Sequence, residues 1–309
     1  MSDLTVLVTG GAGYVGCTLV PLLLAQGYRV RVIDNLRHGG AGLLGNFRQR
    51  RFELVAADIR DPRRMAEAMK GADFVIHLAA VVGYPACREN PDLAEAVNVE
   101  GSTVVAAAAG RERPVLFAST CSVYGAVREG ACREETPLNP VSWYGKTKAA
   151  AEQQLLESCR TVALRLATAF GVSPRMRCDL LLNHFVLTAL RAHELILYQP
   201  HALRAFVHVH DIARSFLFGI EHFRALEGQV FNVGSEEMNY TKAQVCEMIQ
   251  RQVAYGLRCA DSGEDEDQRD YAVSCQKIKA LGYNTTVSLE QGIEELVRAA
   301  PVLDERGRW

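Results

Sequence analysis

The feature that most restricts what this chain can fold into lies at its start. An apolar run, Leu4 to Thr9, passes without a spacer into Thr9-Gly10-Gly11-Ala12-Gly13-Tyr14-Val15-Gly16. Gly11, Gly13 and Gly16 fit the GxGxxG pattern between a strand and a helix, here predicted from about Gly13 to Gln26. Glycines allow the tight turn and let a diphosphate approach the helix N-terminus, whose free N–H groups and dipole favour negative charge. A second apolar run, Arg29 to Asp34, ends on an acidic residue eighteen positions after Gly16. An acid there accepts hydrogen bonds from both hydroxyls of an adenosine ribose and repels a 2′-phosphate, which points to NAD rather than NADP. Arg37, which could accommodate such a phosphate, reads as a solvated loop residue.

Further strands are predicted at Phe52 to Ala56, Phe74 to Leu78, Val115 to Ala118 and Thr161 to Leu166. Such continuous Val/Ile/Leu runs belong to parallel strands covered on both faces. Helical periodicity between them, in Pro91 to Gly110 and Ser142 to Ser158, completes an α/β class: a Rossmann-type, doubly wound parallel sheet. After Gly171 the alternation fades. Cys178 to His193, Tyr240 to Val253 and Leu289 to Ala299 read as helices, Ala205 to Ile212 and Gln229 to Val233 as extended returns, and Ser262 to Arg269 as a solvated acidic loop. The expected division is an NAD-binding domain over 1–171, with a return segment near 205–233, and a smaller C-terminal α/β substrate lobe over 172–309.

Composition narrows the partners. A formal net charge of −2 over 309 residues gives no global attraction for nucleic acid or an anionic membrane, so an anionic ligand must be held by local donors. The nine Cys form no CxxC and no zinc spacing with His, which predicts reduced thiols and no metal. The opening residues carry no basic leader or cleavage site, and the Leu19 to Leu24 run is too short to span a bilayer. A cytoplasmic protein is expected. The 34 basic residues comprise 28 Arg and only 6 Lys, so the position of each Lys carries weight.

Two of the six stand in Tyr144-Gly145-Lys146-Thr147-Lys148. Tyr144 and Lys148, at i and i+4, share one helix face. With this composition about 0.2 such YxxxK matches are expected by chance, and this is the only one. A phenol acts as a base near neutral pH only if its anion is favoured, and a neighbouring ammonium does that. Upstream, Phe117-Ala118-Ser119-Thr120-Cys121-Ser122-Val123-Tyr124-Gly125 ends a strand at the carboxyl edge of the sheet, where open α/β folds bind ligands.

Taken together, the TGGAGYVG loop, Asp34, Asp58, His77-Leu78-Ala79-Ala80, Asn98, the STCSVYG run, YGKTK and Arg204-Ala205-Phe206-Val207-His208 resemble the NAD-dependent nucleotide-sugar epimerase/dehydratase family of extended short-chain dehydrogenase/reductases, close to its UDP-glucose 4-epimerases. The resemblance covers nearly the whole chain. It implies Tyr144 as catalytic base, Lys148 as its partner on the nicotinamide ribose, and Thr120 as the catalytic hydroxyl. For NAD it implies contacts from Gly10, Gly13, Tyr14, Val15, Gly16, Asp34, Asn35, Asp58, Ile59, Leu78, Ala79, Ala80 and Asn98, besides Tyr144 and Lys148. For a nucleotide-diphosphate sugar it implies Thr120, Cys121, Ser122, Tyr144, Thr168, Asn183, Arg204 and Arg269. A homodimer is the implied assembly. His77, His208 and Asp211 read as structural partners near the cleft.

The departures from the family pattern bear on the reaction. Family dehydratases and decarboxylases carry acidic residues after the Thr, where this chain has Cys121 and Ser122. That favours an epimerase, acting at C4 through a transient 4-keto sugar, with an NAD(P)-dependent 4-ketosugar reductase or nucleotide-sugar 4-dehydrogenase as the alternative. A non-catalytic NAD-sensing module would have no need of Tyr144, Lys148 and Thr120 together. Thr168 replaces the usual Asn of RxxNxxG, and Gln199 to Leu203 replaces a glycine-rich loop. Glucose or galactose specificity therefore does not carry over.

Overall fold

A computed structural model of the chain describes residues 4–260 and 270–303. Its strands, in chain order, begin with β1 (Thr5–Thr9), β2 (Arg29–Asp34), β3 (Phe52–Ala56), β4 (Phe74–His77), β5 (Pro114–Thr120), β6 (Ala126–Cys132) and β7 (Arg160–Leu166). They continue with β8 (Thr168–Phe170), β9 (Glu194–Leu197), β10 (Leu203–His208), β11 (Val230–Val233), β12 (Asn239–Thr241), β13 (Gly256–Cys259) and β14 (Asp270–Val273). Seven of them form one sheet in the order β11-β7-β5-β4-β1-β2-β3, every pair parallel. The strand order reverses at β1, which pairs with both β2 and β4. Beyond the carboxyl ends of β1 and β4 this leaves the crevice in which doubly wound sheets hold ligands.

Both faces of the sheet are covered, which is why its strands read as unbroken apolar runs. Along β1, Val6 and Val8 face a core shared with Leu19, Val20 and Leu23 of helix Tyr14–Ala25 and with Ile212 and Phe216 of helix Val209–Glu221. Leu7 faces the other side with Ile33, Val75, Phe117, Met65, Val105 and Leu155. A third core, around Phe170, Leu182, Val186, Phe206, Ile249 and Ile293, joins helices Leu181–Ala192, Lys242–Gln250 and Leu289–Ala299. Three small sheets, β12-β10-β8, β13-β9 and β14-β6, complete the fold, the last packing Cys132, Tyr271 and Val273 into the first core.

Two predicted elements differ. The extended return read as Ala205 to Ile212 stops at His208, and Val209–Glu221 is a helix. His208 Nδ1 lies 3.2 Å from the His210 N–H as an N-terminal cap, and Val209, Ile212, Ala213, Phe216 and Ile220 share the helix's buried side. The helix read as Pro91 to Gly110 is three pieces, Pro91–Glu95, a π-helical turn Ala96–Glu100, and Gly101–Ala109. The acidic loop read at Ser262 to Arg269 lies outside the described residues. Among those described, no helix is long and apolar enough to cross a membrane.

Candidate active site

The cofactor end is built where β1 meets the segment after β4. Thr9 Oγ1 accepts the Ala79 N–H at 3.2 Å and lies 2.7 Å from His77 Nδ1, which draws the two strand ends together. Gly10 has φ +70°, and a Cβ there would stand 2.6 Å from the Ala79 nitrogen, so the approach requires glycine. Helix Tyr14–Ala25 follows with Gly13 as N-cap, no side-chain cap bond and no acidic residue in its first turn. Its N–H groups are therefore available to a diphosphate. At the end of β2 the Asp34 carboxylate accepts from Ala12 N–H at 3.0 Å and Leu36 N–H at 2.8 Å. Asn35 donates to Asp58 at 3.3 Å, and Arg60 grips both Asp58 oxygens at 2.9 Å, holding that carboxyl down at about 2. These residues fit a bound NAD. Gly13, Tyr14, Val15, Gly16, Asp34, Asn35, Asp58, Ile59, Leu78, Ala79 and Ala80 all line one cavity of about 590 Å³.

Asn98 does not line that cavity but stands behind its wall. Its side chain accepts from Val81 N–H at 2.8 Å and donates to Val81 O and to Thr147 Oγ1, both at 3.0 Å. It thus ties the cofactor wall to the helix that carries Tyr144.

That helix, Trp143–Ser158, starts on Ser142, whose Oγ accepts the Gly145 N–H at 3.0 Å. A Cβ at Gly145 would lie 2.8 Å from Ser122 O, so glycine lets the helix reach the turn after β5. Tyr144 and Lys148 line the cavity, whereas Lys146 points to solvent. Lys148 is 3% exposed, with Nζ 4.0 Å from the Phe117 ring centroid. Burial pushes its pKa down to about 7, and Glu152 opposes the shift. Thr120, the last residue of β5, donates to Ser122 Oγ at 3.0 Å and accepts the Ser122 N–H at 3.1 Å; both residues line the cavity.

Cys121 is buried. In the tight turn Cys121–Tyr124 neighbouring side chains diverge, and the Cys121 thiol turns into the core, donating to Arg165 O at 3.2 Å. Asn183 is also buried. Its Oδ1 accepts the Gly171 N–H at 3.0 Å and its Nδ2 donates to Arg177 O at 2.9 Å, so its amide braces the segment beside Tyr14 rather than lining the cavity. Arg204 is 1% exposed, donates to Leu203 O at 2.9 Å and does not line the cavity. Thr168 does line it, and Arg269 lies outside the described residues. His77 lies 2.9 Å from Ser102 Oγ as well as near Thr9, and burial pushes its pKa down to about 3, so it is neutral. His208 pairs with Glu295, and Asp211 accepts from Thr286 and Val287 N–H.

The sequence profile of the NAD dependent epimerase/dehydratase family matches residues 6–234. The chain belongs to that family. It is 28% identical over 325 residues to a dTDP-glucose 4,6-dehydratase of Streptomyces niveus, covering 98% of this chain and 94% of that protein. The UDP-glucose 4-epimerase of Thermus thermophilus, solved with NAD, superposes with TM-score 0.83 at 27% identity, covering 96% and 99%. DesIV of Streptomyces venezuelae, a dTDP-glucose 4,6-dehydratase solved with NAD and TYD bound, gives 0.87 at 26% identity, covering 99% of each chain. This chain is thus a Rossmann-like, NAD-dependent enzyme of the epimerase/dehydratase family.

Two functional candidates of this family member escape the sequence reading. Arg175 and Arg177 both line the cavity, and Arg177 binds both oxygens of Asp179, at 2.6 and 2.5 Å. The only signal was two Arg and an Asp at alternate positions in Arg-Met-Arg-Cys-Asp, weak among 28 Arg.

Proposed function

We propose that this enzyme epimerises a nucleotide-diphosphate sugar at C4 through a bound 4-keto intermediate, with NAD kept in place through the cycle. One observation carries the reading. Thr120, Ser122, Tyr144 and Lys148 converge on one cavity, while the two positions after Thr120 supply a buried thiol and a hydroxyl rather than acids. Loss of water from a sugar needs an added acid–base pair, whereas moving one hydroxyl proton needs only a phenol and its relay.

Bound NAD supplies the redox chemistry at the sugar carbon and is regenerated in each turnover. The remaining work falls to side chains. Tyr144, as phenolate beside the Lys148 ammonium, takes the C4 hydroxyl proton; Thr120 bridges the hydroxyl to Tyr144 and is itself oriented by Ser122. The same proton returns when the 4-keto sugar is reduced on its other face.

Tyr144→Phe tests the base. Turnover falls by roughly 10²–10⁴ with NAD still bound; retention of a tenth of wild-type activity would show that another group moves the proton. A panel of nucleotide sugars carrying deuterium at C4 tests the reaction. Inverted product that keeps the label supports epimerisation, label released in free NADH supports a dehydrogenase, and a 4-keto-6-deoxy product supports dehydration.

A further inference from the structure

Residues 171–179 form a strap across the cavity, tied to the dinucleotide end of the molecule. Ser173 Oγ donates to Tyr14 O at 2.7 Å and accepts from Thr18 Oγ1 at 3.3 Å, which pins the strap to the first turns of helix Tyr14–Ala25. Next along it, Pro174 and Arg175 pack on the loop after Asp34. A Cβ at Gly42 would lie 3.2 Å from Pro174 C, 3.3 Å from Arg175 N and 2.6 Å from Cys17 Sγ. Further on, Arg177 reaches the catalytic end, where a Cβ at Gly83 would lie 3.4 Å from its Nη2. The strap therefore runs from the adenosine side of the cleft to the nicotinamide side.

The two arginines on it differ. Arg177 is neutralised by both Asp179 oxygens. Arg175 lines the same cavity, but its Nε is buried without a hydrogen-bond partner among the described residues. A guanidinium atom taken out of water and left unbonded is costly, and nearby Arg177 adds positive charge, with Asp179 and Asp34 acting against it. An anion relieves both. The helix N-terminus to which the strap is pinned favours a diphosphate, and a planar guanidinium matches phosphate oxygens.

We propose that Arg175 is a cofactor-retention residue: its guanidinium closes over the NAD diphosphate from the strap, facing the N-terminus of helix Tyr14–Ala25, and sets how slowly the dinucleotide leaves. The inference rests on the reading above only in explaining why a cofactor recycled in place needs slow release. Its position beside Cys17 and Gly42 assigns it to the cofactor's diphosphate rather than to the substrate's.

The full-length enzyme loaded with NADH, chased with excess NAD and followed by NADH fluorescence, tests this without any sugar. Arg175→Ala speeds NADH release at least tenfold, Arg175→Gln does the same, and Arg175→Lys stays within about threefold of wild type. Displacement of NADH by ADP-ribose weakens in parallel, whereas displacement by adenosine is unchanged, which also shows that the cleft is intact. A release rate in Arg175→Ala and Arg175→Gln within twofold of wild type overturns the proposal. So does an equal loss for adenosine in Arg175→Gln, a defect confined to NADPH, or a raised KM for the nucleotide sugar with unchanged NADH release. Failure of the Tyr144→Phe prediction would leave these rates untouched.

Discussion

At the scale of single residues, Lys148 is the most exacting. Its ammonium lies 4.0 Å from the Phe117 ring centroid, in a site only 3% exposed. A guanidinium is larger and planar, so Lys148→Arg keeps the charge but overfills the site. We expect a kcat loss of about 10²-fold or more, read in steady-state assays, with NAD still bound. Burial also makes Lys148 a titrating element of stability. Its pKa is pushed from 10.5 unfolded to about 7 folded. Between those values the unfolded chain holds a proton that the folded chain has released, so this group makes stability rise with pH, and its penalty is complete below about 7. Lys148→Met removes the titration. In urea unfolding the variant should exceed wild type at pH 6, with an advantage that shrinks toward pH 10; an advantage independent of pH would mean that the site does not penalise the charge.

At the scale of elements, the π-helical turn Ala96–Glu100 has a function that a regular helix would not serve. It presents Asn98 to Val81 and Thr147, while Ser102 donates to Asn98 O at 2.6 Å. Asn98→Ala takes the acceptor from the part-buried Val81 N–H, which costs about 1 kcal/mol. Because Thr147 adjoins Lys148, kcat should fall more than KM rises; unfolding midpoints and steady-state kinetics check both, and an effect on stability alone would deny the link. The π turn was not legible in the sequence, where Pro91 to Gly110 has continuous helical periodicity. The strands of the large sheet were legible, since each is an apolar run bounded by turn residues. The strands β9 and β13 were not, because they are short and half-exposed: β9 buries only Leu195 and Leu197, and β13 buries none of its four residues. Within the site, Tyr144 and Lys148 announce themselves by helical register. Motif position alone did not tell that the Cys121 and Asn183 side chains turn inward.

At the scale of the whole molecule, a buried ionic network ties the catalytic helix to the sheet and the sheet to the smaller β14-β6 pair. Glu152, two turns beyond Tyr144, takes Ser119 Oγ at 2.5 Å and the Arg165 guanidinium at 2.6 Å, with both charged side chains at most 5% exposed. Arg165 then donates to Tyr124 Oη at 2.9 Å, and that hydroxyl donates to Asn232 at 2.7 Å. Asn232 on β11 in turn donates to Cys132 O on β6 and to Ser274 O beside β14. Charges this deep are paired because desolvation would otherwise expel them. Removing one partner strands the other, so Glu152→Ala and Arg165→Met should each lose about 3–5 kcal/mol in urea unfolding. The double variant Glu152→Leu/Arg165→Met removes both charges at once and should recover most of that loss, a coupling measurable in a double-mutant cycle closed with the Glu152→Leu and Arg165→Met singles. Stability and chemistry should then separate. Ser119, which has lost its acceptor, sits next to Thr120 on β5, so the double variant should fold yet turn over more slowly than wild type. Additive single losses, with no recovery in the double, would show that the pair is solvated and that the helix is held by its apolar face alone.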